Sequence, residues 1–335
     1  MIGNTKIFII AEAGVNHNGS PDLAKKLVDE AVRAKADAVK FQTFIPEKVI
    51  SAHAKKAEYQ IASTGENESQ LDMVRKLWLP YEVFADLARY CKEKGILFLS
   101  TPFDIPSLGF LMTLGMPVIK IPSGEITNVP LLLETAKTGK DVIMSTGMSE
   151  MDEIAFARDL LLSNGCPDVA LLHCNTEYPT PFEDANVRAM LDIKSRFGGT
   201  VGYSDHTLGI EAPVAAAALG AQIIEKHFTL DKGMEGPDHS CSLEPDELCA
   251  MVSAVRNVEL ALGSGIKTAS SSEIKNKAIA RKSIVAACDI KAGDAFSEHN
   301  LDVKRPGDGI SPVMWFDVMG QKAKRDFTPD EKIEI

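Results

Sequence analysis

A chain of 335 residues with 45% apolar side chains has room for one large domain, or a large and a small one, with ample core. Its net charge of −11, with Lys and Arg scattered along the chain, speaks against a nucleic-acid surface. No apolar run approaches the ~18–20 residues needed to span a bilayer, so a membrane partner is not expected either.

The start, MIGNTKIFIIAEAG, turns acidic at Glu12 and reads as a first strand, not a signal peptide. Eight short β-branched or apolar runs then follow in order: 7–14, 38–44, 97–103, 118–124, 142–147, 169–175, 200–206 and 223–230. Near-continuous apolar runs fit strands buried on both faces of a parallel sheet. Segments of helical spacing lie between them. Ser20 and Pro21 predict an N-cap and first turn, followed by a stripe of Leu23, Leu27, Val28 and Ala31. Ser149 is expected to cap the helix after the fifth run, with Asp152 at N3 and Gly165 as the stop. The gap between the second and third runs holds a polar insertion, AKKAEYQIASTGENESQ, expected to fold over one end of the sheet.

Eight strands alternating with helices over about 260 residues is the arithmetic of a (β/α)8 barrel, expected over residues 1–262. A doubly wound open sheet competes, but no GxGxxG follows the first strand. Residues 263–282, small and polar, read as a linker, partly helical. Strand-like pieces from 283 to 335 (SIVAACDI, HNLDVKRPGDG, EKIEI) predict a small second domain with a marginal core of its own.

Nearly every run turns polar at its C-terminal end. The endings supply Glu12, Asn16-His17, Lys40, Gln42, Ser100-Thr101, Lys120, Ser123, Ser145-Thr146, Asn175, Ser204-Asp205-His206 and Glu225-Lys226-His227. One such ending caps a helix; eight together describe a catalytic mouth, because strand C-termini converge there. Lys40 and Lys120, among Ser, Thr and backbone N–H groups, suit a phosphate or carboxylate. The competing readings are ion pairs with Glu12 or Glu125, or a Schiff base on one lysine. His206 and His227 end strands seven and eight. Neighbouring strands run about 4.8 Å apart, so the two imidazoles can share one cation. His17 is expected in a turn at the mouth, His173 packed, and His53 and His299 at the surface. The six cysteines form no CxxC pair and read as reduced thiols of a cytoplasmic protein, with Cys174 in small apolar packing.

At this point AEAGVNHNG, AVKFQT, STPFD, KIPSGE, STGM, HCNTEYPTP, GYSDHT, EKHFTLDK, EGPDH and VKRPGDGISP together resemble the sialic acid synthase family, from about residue 7 to the C-terminus. The resemblance implies a (β/α)8 barrel followed by a small antifreeze-like (SAF) domain, in a domain-swapped homodimer. It implies a transferase that joins phosphoenolpyruvate to the open-chain aldehyde of an N-acetylmannosamine-type sugar, with Mn²⁺, or else Mg²⁺ or Co²⁺, as Lewis acid. His206 and His227 would hold the metal. Lys40, Thr101, Lys120, Ser123, Ser145 and Ser204 would bind phosphoenolpyruvate, together with one of Asn175 and Thr176, whose order departs from that of some members. Glu12, Gln42, Tyr178 and Asp238 would face the sugar, and Arg305 would enter the partner's site. Glu12, Glu125 and Lys120 are the expected catalytic groups, Glu125 at the attacking water. N-acetylneuraminic acid is the expected product, with legionaminic acid as the alternative. A metal-independent Schiff-base aldolase and a non-catalytic sugar-binding protein are the rivals of other classes.

Overall fold

The computed structural model describes residues 6–57, 60, 61, 65 and 68–335. The chain divides into two compact units, Met1–Gly263 and Ser264–Ile335. In the first, eight parallel strands form one sheet: β1 (Phe8–Gly14), β2 (Ala38–Thr43), β3 (Leu97–Pro102), β4 (Val118–Ile121), β5 (Asp141–Ser145), β6 (Val169–His173), β7 (Val201–Asp205) and β8 (Ile223–His227). Hydrogen-bonded neighbours run β3-β2-β1-β8-β7-β6-β5-β4. β3 and β4 also lie side by side, so the sheet closes on itself as a (β/α)8 barrel without a ladder at that seam.

The strands start where the apolar runs start because each is buried on both faces. Alternate residues divide into two cores. Ile10, Ala38, Leu99, Val118, Ile143, Leu172 and Ile223 fill the barrel interior. Ile9, Ala11, Val39, Phe41, Ile119, Val142, Leu171, Tyr203 and Ile224 pack outward against the helices. This period of two decides which of three consecutive polar residues enters the barrel.

The helix Pro21–Arg33 begins as the sequence predicts, with Ser20 Oγ accepting the Leu23 N–H at 3.3 Å. The helix after β5 starts at Met151, with Glu150 as its N-cap, not Ser149. Glu153 Oε2 accepts the Glu150 N–H at 2.9 Å, while the Ser149 hydroxyl turns back to the Gly147 carbonyl. A carboxylate three residues on satisfies the helix start better than the hydroxyl in place. Part of the insertion between β2 and β3 lies outside the described residues.

The second unit carries a helix, Ser271–Ala280, in the stretch read as a linker. β9 (Ser283–Ala286) and β10 (Leu301–Lys304) pair antiparallel. Its core holds Ile284, Ile290, Phe296, Leu301, Val318, Phe327 and Ile333. EKIEI is not a strand: it bridges Val285 at Lys332 alone. No helix among the described residues is long and apolar enough to cross a membrane.

Behind the barrel wall, Lys226 Nζ meets Asp205 Oδ2 at 2.5 Å, and both side chains are fully buried. The two residues are register partners on β7 and β8. Asp205 also accepts the Thr207 N–H at 3.1 Å and its hydroxyl at 3.0 Å. Lys226→Met leaves an unpaired buried carboxylate and is expected to cost about 3–5 kcal/mol, most of it regained by adding Asp205→Leu. Urea unfolding measures both; a loss under about 1 kcal/mol for the single variant contradicts a structural role for the pair.

Candidate active site

Where the strands end, the interior changes from apolar to charged. The layer above Ile10, Ala38, Leu99 and Ile223 holds Glu12, Lys40, Thr101, Lys120, Ser145, Ser204 and Glu225, all buried. Lys40 Nζ lies 2.7 Å from Glu12 Oε2 and 3.8 Å from Glu225 Oε1. Lys120 Nζ lies 3.5 Å from the same Glu225 oxygen and donates to Ser145 Oγ at 2.7 Å. Lys40 also donates to Thr101 Oγ1 at 3.1 Å, and Ser204 Oγ to Glu225 Oε1 at 3.1 Å. Two cations and two carboxylates thus share one dry layer, each with a polar neighbour, as buried charge requires.

Burial pushes the Glu12 carboxyl up to about 7, against the pull of Lys40. Burial would raise Glu225 too, but Lys120 and Lys40 outweigh it and hold that carboxyl below its ordinary value. Burial would lower Lys40, but Glu12 and Glu225 outweigh it and hold the amine charged. Lys120 is lowered, chiefly by burial. Glu225 stood among the polar strand endings in the sequence but was given no role in the expected site. The signal was present: 225 and 227 share a face in any strand, so an inward His227 brings Glu225 inward and turns Lys226 out.

Above this layer a cavity of about 300 Å³ opens. Gln42 enters it from the end of β2 and donates to Glu12 Oε1 at 3.2 Å. Gly14, with φ +52°, lets β1 bulge at its end; a Cβ there would stand 3.3 Å from the Gln42 amide and 3.4 Å from the His227 ring. Ser123 Oγ accepts the Gly147 N–H at 2.9 Å and lies 3.1 Å from Cys174 Sγ. A Cβ on Gly147 would fall within 2.7–2.9 Å of Thr176, Cys174 and Ser123, so that glycine lets the three side chains converge. Burial raises the Cys174 thiol, which fits packing and not nucleophilic attack.

His206 and His227 meet at a centroid distance of 5.3 Å. His206 Nδ1 faces the Asn175 carbonyl, and Nε2 faces Tyr178 Oη at 3.0 Å. The Tyr178 ring stacks on His206 at 4.0 Å and meets His227 edge-on at 5.5 Å. His227 Nδ1 is buried with no hydrogen-bond partner, and Asp238 Oδ2 lies 3.8 Å away. Burial lowers His206 to about 4 and His227 well below its ordinary value, and raises Asp238 to about 6. Two neutral imidazoles, one anchored through its far nitrogen and one with an orphaned nitrogen, fit a divalent cation. Among the described residues no set of three His, Cys, Asp or Glu side chains forms a metal cluster, so His206 and His227 are the pair that would hold it.

Of the sequence-predicted residues, Glu12, Lys40, Gln42, Thr101, Lys120, Ser123, Ser145, Thr176, Tyr178, Ser204, His206, His227 and Asp238 line the cavity. Asn175 does not: its carboxamide oxygen takes the Glu177 N–H at 2.7 Å, which leaves Thr176 as the inward member of that pair. Glu125 does not line it either. It sits in the short turn Ser123–Glu125 and accepts from Asn128 Nδ2 at 2.6 Å. Arg305 belongs to the second unit, exposed, with Nε donating to the Ala280 carbonyl at 3.0 Å. His173 is packed on the outer face against Tyr203, while His53 and His299 are exposed.

Two family models match the chain: the NeuB family over residues 27–267 and the SAF domain over residues 281–333. An N,N'-diacetyllegionaminic acid synthase from Campylobacter jejuni is 52% identical over 98% of this chain and 99% of its own. A protein of the same name from Legionella pneumophila is 44% identical over 94% of this chain and 90% of its own. Among solved structures, an N-acetylneuraminic acid synthetase from Leptospira borgpetersenii, in complex with citrate, matches with a TM-score of 0.71 at 38% identity, covering 82% of this chain and 91% of that one.

His17 lies in the turn after β1, buried beside Phe41, its Nδ1 accepting the Gly19 N–H at 3.1 Å. Burial, then nearby His239, lowers its pKa from 6.5 to about 4. Between those values the unfolded chain binds the extra proton, so this group's stability is complete above 6.5 and lost as pH falls through 4. His17→Gln removes that dependence. The stability advantage of the wild type over the variant should be about 2–3 kcal/mol larger at pH 7 than at pH 4.5 in urea unfolding. An advantage that does not change with pH contradicts the assignment.

Proposed function

The chain belongs to the NeuB family, and from that premise we propose that it joins phosphoenolpyruvate to 2,4-diacetamido-2,4,6-trideoxymannose, giving N,N'-diacetyllegionaminic acid and phosphate. The observation that carries the reaction class is the buried layer itself: two lysines among hydroxyls, directly beneath a pair of neutral imidazoles. A small trianion and a carbonyl are the two groups such a cavity accommodates together. The product follows from the two legionaminic acid synthases at 52% and 44% identity. It replaces N-acetylneuraminic acid, the product expected from the sequence.

In this reading Lys40 and Lys120 pair with the carboxylate and phosphate of phosphoenolpyruvate, Thr101, Ser123 and Ser145 donate to its oxygens, and Ser204 does so by turning its hydroxyl away from Glu225. C3 of the enolpyruvate forms a bond to the aldehyde carbon of the sugar, and water adds at C2. The C2–O bond to phosphorus's bridging oxygen then breaks, leaving a ketone. One proton of the water ends on the sugar oxygen and the other on the departing phosphate. Glu12, with its pKa raised to about 7, is suited to hold a proton between these steps. Glu225 fixes both lysines in place. A divalent metal, Mn²⁺ before Mg²⁺ or Co²⁺, would be held by His206 and His227 and would supply Lewis acidity for the sugar carbonyl.

Two further expectations belong to the same reading. The protein acts as a domain-swapped homodimer in which Arg305 of one protomer serves the acylamino group bound by the other; its exposed guanidinium and the SAF domain match support this. It works in the cytoplasm, where its six free thiols stay reduced.

Phosphate release from phosphoenolpyruvate, with Mn²⁺ and either the trideoxy sugar or N-acetylmannosamine, tests the reading. Release is expected with both sugars, with the higher kcat/KM for the trideoxy sugar, abolished by EDTA and restored by Mn²⁺. Release that survives EDTA removes the metal site. No release with either sugar contradicts the reaction class.

A further inference from the structure

Six apolar side chains form a cluster separate from the other cores: Val15, Phe44, Val49, Val74, Leu77 and Phe103. All six line the cavity. Val15 follows β1, Phe44 and Val49 follow β2, Val74 and Leu77 lie on the helix Gln70–Leu77, and Phe103 follows β3. Phe44 and Phe103 meet edge-on at 6.3 Å. None of the six carries a side-chain hydrogen-bonding group. Gln60 and Gln70, which line the same cavity, are bonded to each other at 3.3 Å.

A satellite core that opens into a catalytic cavity does more than hold loops together. The charged layer and the imidazoles account for the anion and for the carbonyl end of the sugar. The remaining carbons, C4 to C6, must lie against other parts of the lining. A hydroxyl placed on an apolar wall loses its water without gaining a partner, while a methyl group there gains contact. N-acetylmannosamine carries hydroxyls at C4 and C6. The trideoxy sugar carries an acetamido group at C4 and a methyl at C6.

We propose that this wall binds the C6 end of the sugar and selects the 6-deoxy substrate over one with a hydroxyl at C6. The inference rests on the synthase reading and adds the residues that decide between its sugars.

The test is the ratio of kcat/KM for the trideoxy sugar to that for N-acetylmannosamine, read by phosphate release. It is measured in the wild type, in the near-isosteric double variant Val49→Thr/Val74→Thr, and in Phe103→Tyr, each checked by thermal unfolding. The wild-type ratio should favour the trideoxy sugar and should fall by roughly tenfold or more in the double variant, with a fall in the same direction for Phe103→Tyr. Folded variants whose ratios stay within about twofold of the wild type overturn the role of the wall and leave the synthase reading standing. A wild type that prefers N-acetylmannosamine also overturns it. A wild type that turns over neither sugar overturns the synthase reading and the wall together.

Discussion

Two lysines and two carboxyl groups packed into one layer of the barrel interior are the constraint around which the site is arranged. Burial works against the charge of Lys40 and Lys120 there, Glu12 and Glu225 work for it, and Glu225 reaches both lysines with a single oxygen. The hydroxyls of Thr101 and Ser145 accept from the two lysines and that of Ser204 donates to Glu225 Oε1, while Glu225 Oε2 is buried with no hydrogen-bond partner. Such a layer stabilises a fold little, since the desolvation of the ions offsets most of their attraction. Its value is preorganisation: donors fixed in a dry cavity need no rearrangement when an anion arrives.

The barrel supplies this layer through strand periodicity. Inward residues are apolar for one or two steps and polar at the last, and the helices stack against the outward residues. The ion pair of Asp205 and Lys226 shows the same rule from behind. It joins β7 to β8 at the register position between the inward residues Ser204 and His206 on one strand, and between Glu225 and His227 on the other. Two polar triplets that look alike in sequence are thus divided into site and scaffold by the pleat alone.

Most of the barrel was readable in the chain because its strands are buried on both faces and therefore stand out as apolar runs; all eight begin within a residue of where the runs do. The mouth was readable because polar endings recur. Where the structure departs from the sequence reading, the reasons are local. Glu225 was overlooked by treating EKH as one polar ending and not as alternating faces. Asn175 and Thr176 differ by a turn that spends the Asn side chain on the Glu177 backbone. Glu125 sits within hydrogen-bond reach of Asn128, a contact three residues away that no strand pattern announces. EKIEI alternates like a strand but makes only one bridge. The apolar wall comes from four separate segments, so no single stretch of sequence displays it.

Isothermal titration of phosphoenolpyruvate, without sugar, into the wild type and into Lys120→Met is the most direct test of the charge layer as the anion site. The layer predicts saturable binding to the wild type, weakened by roughly 30-fold or more in a variant whose circular dichroism is unchanged. Equal affinity for the two proteins would contradict it, and would place the anion elsewhere in the cavity.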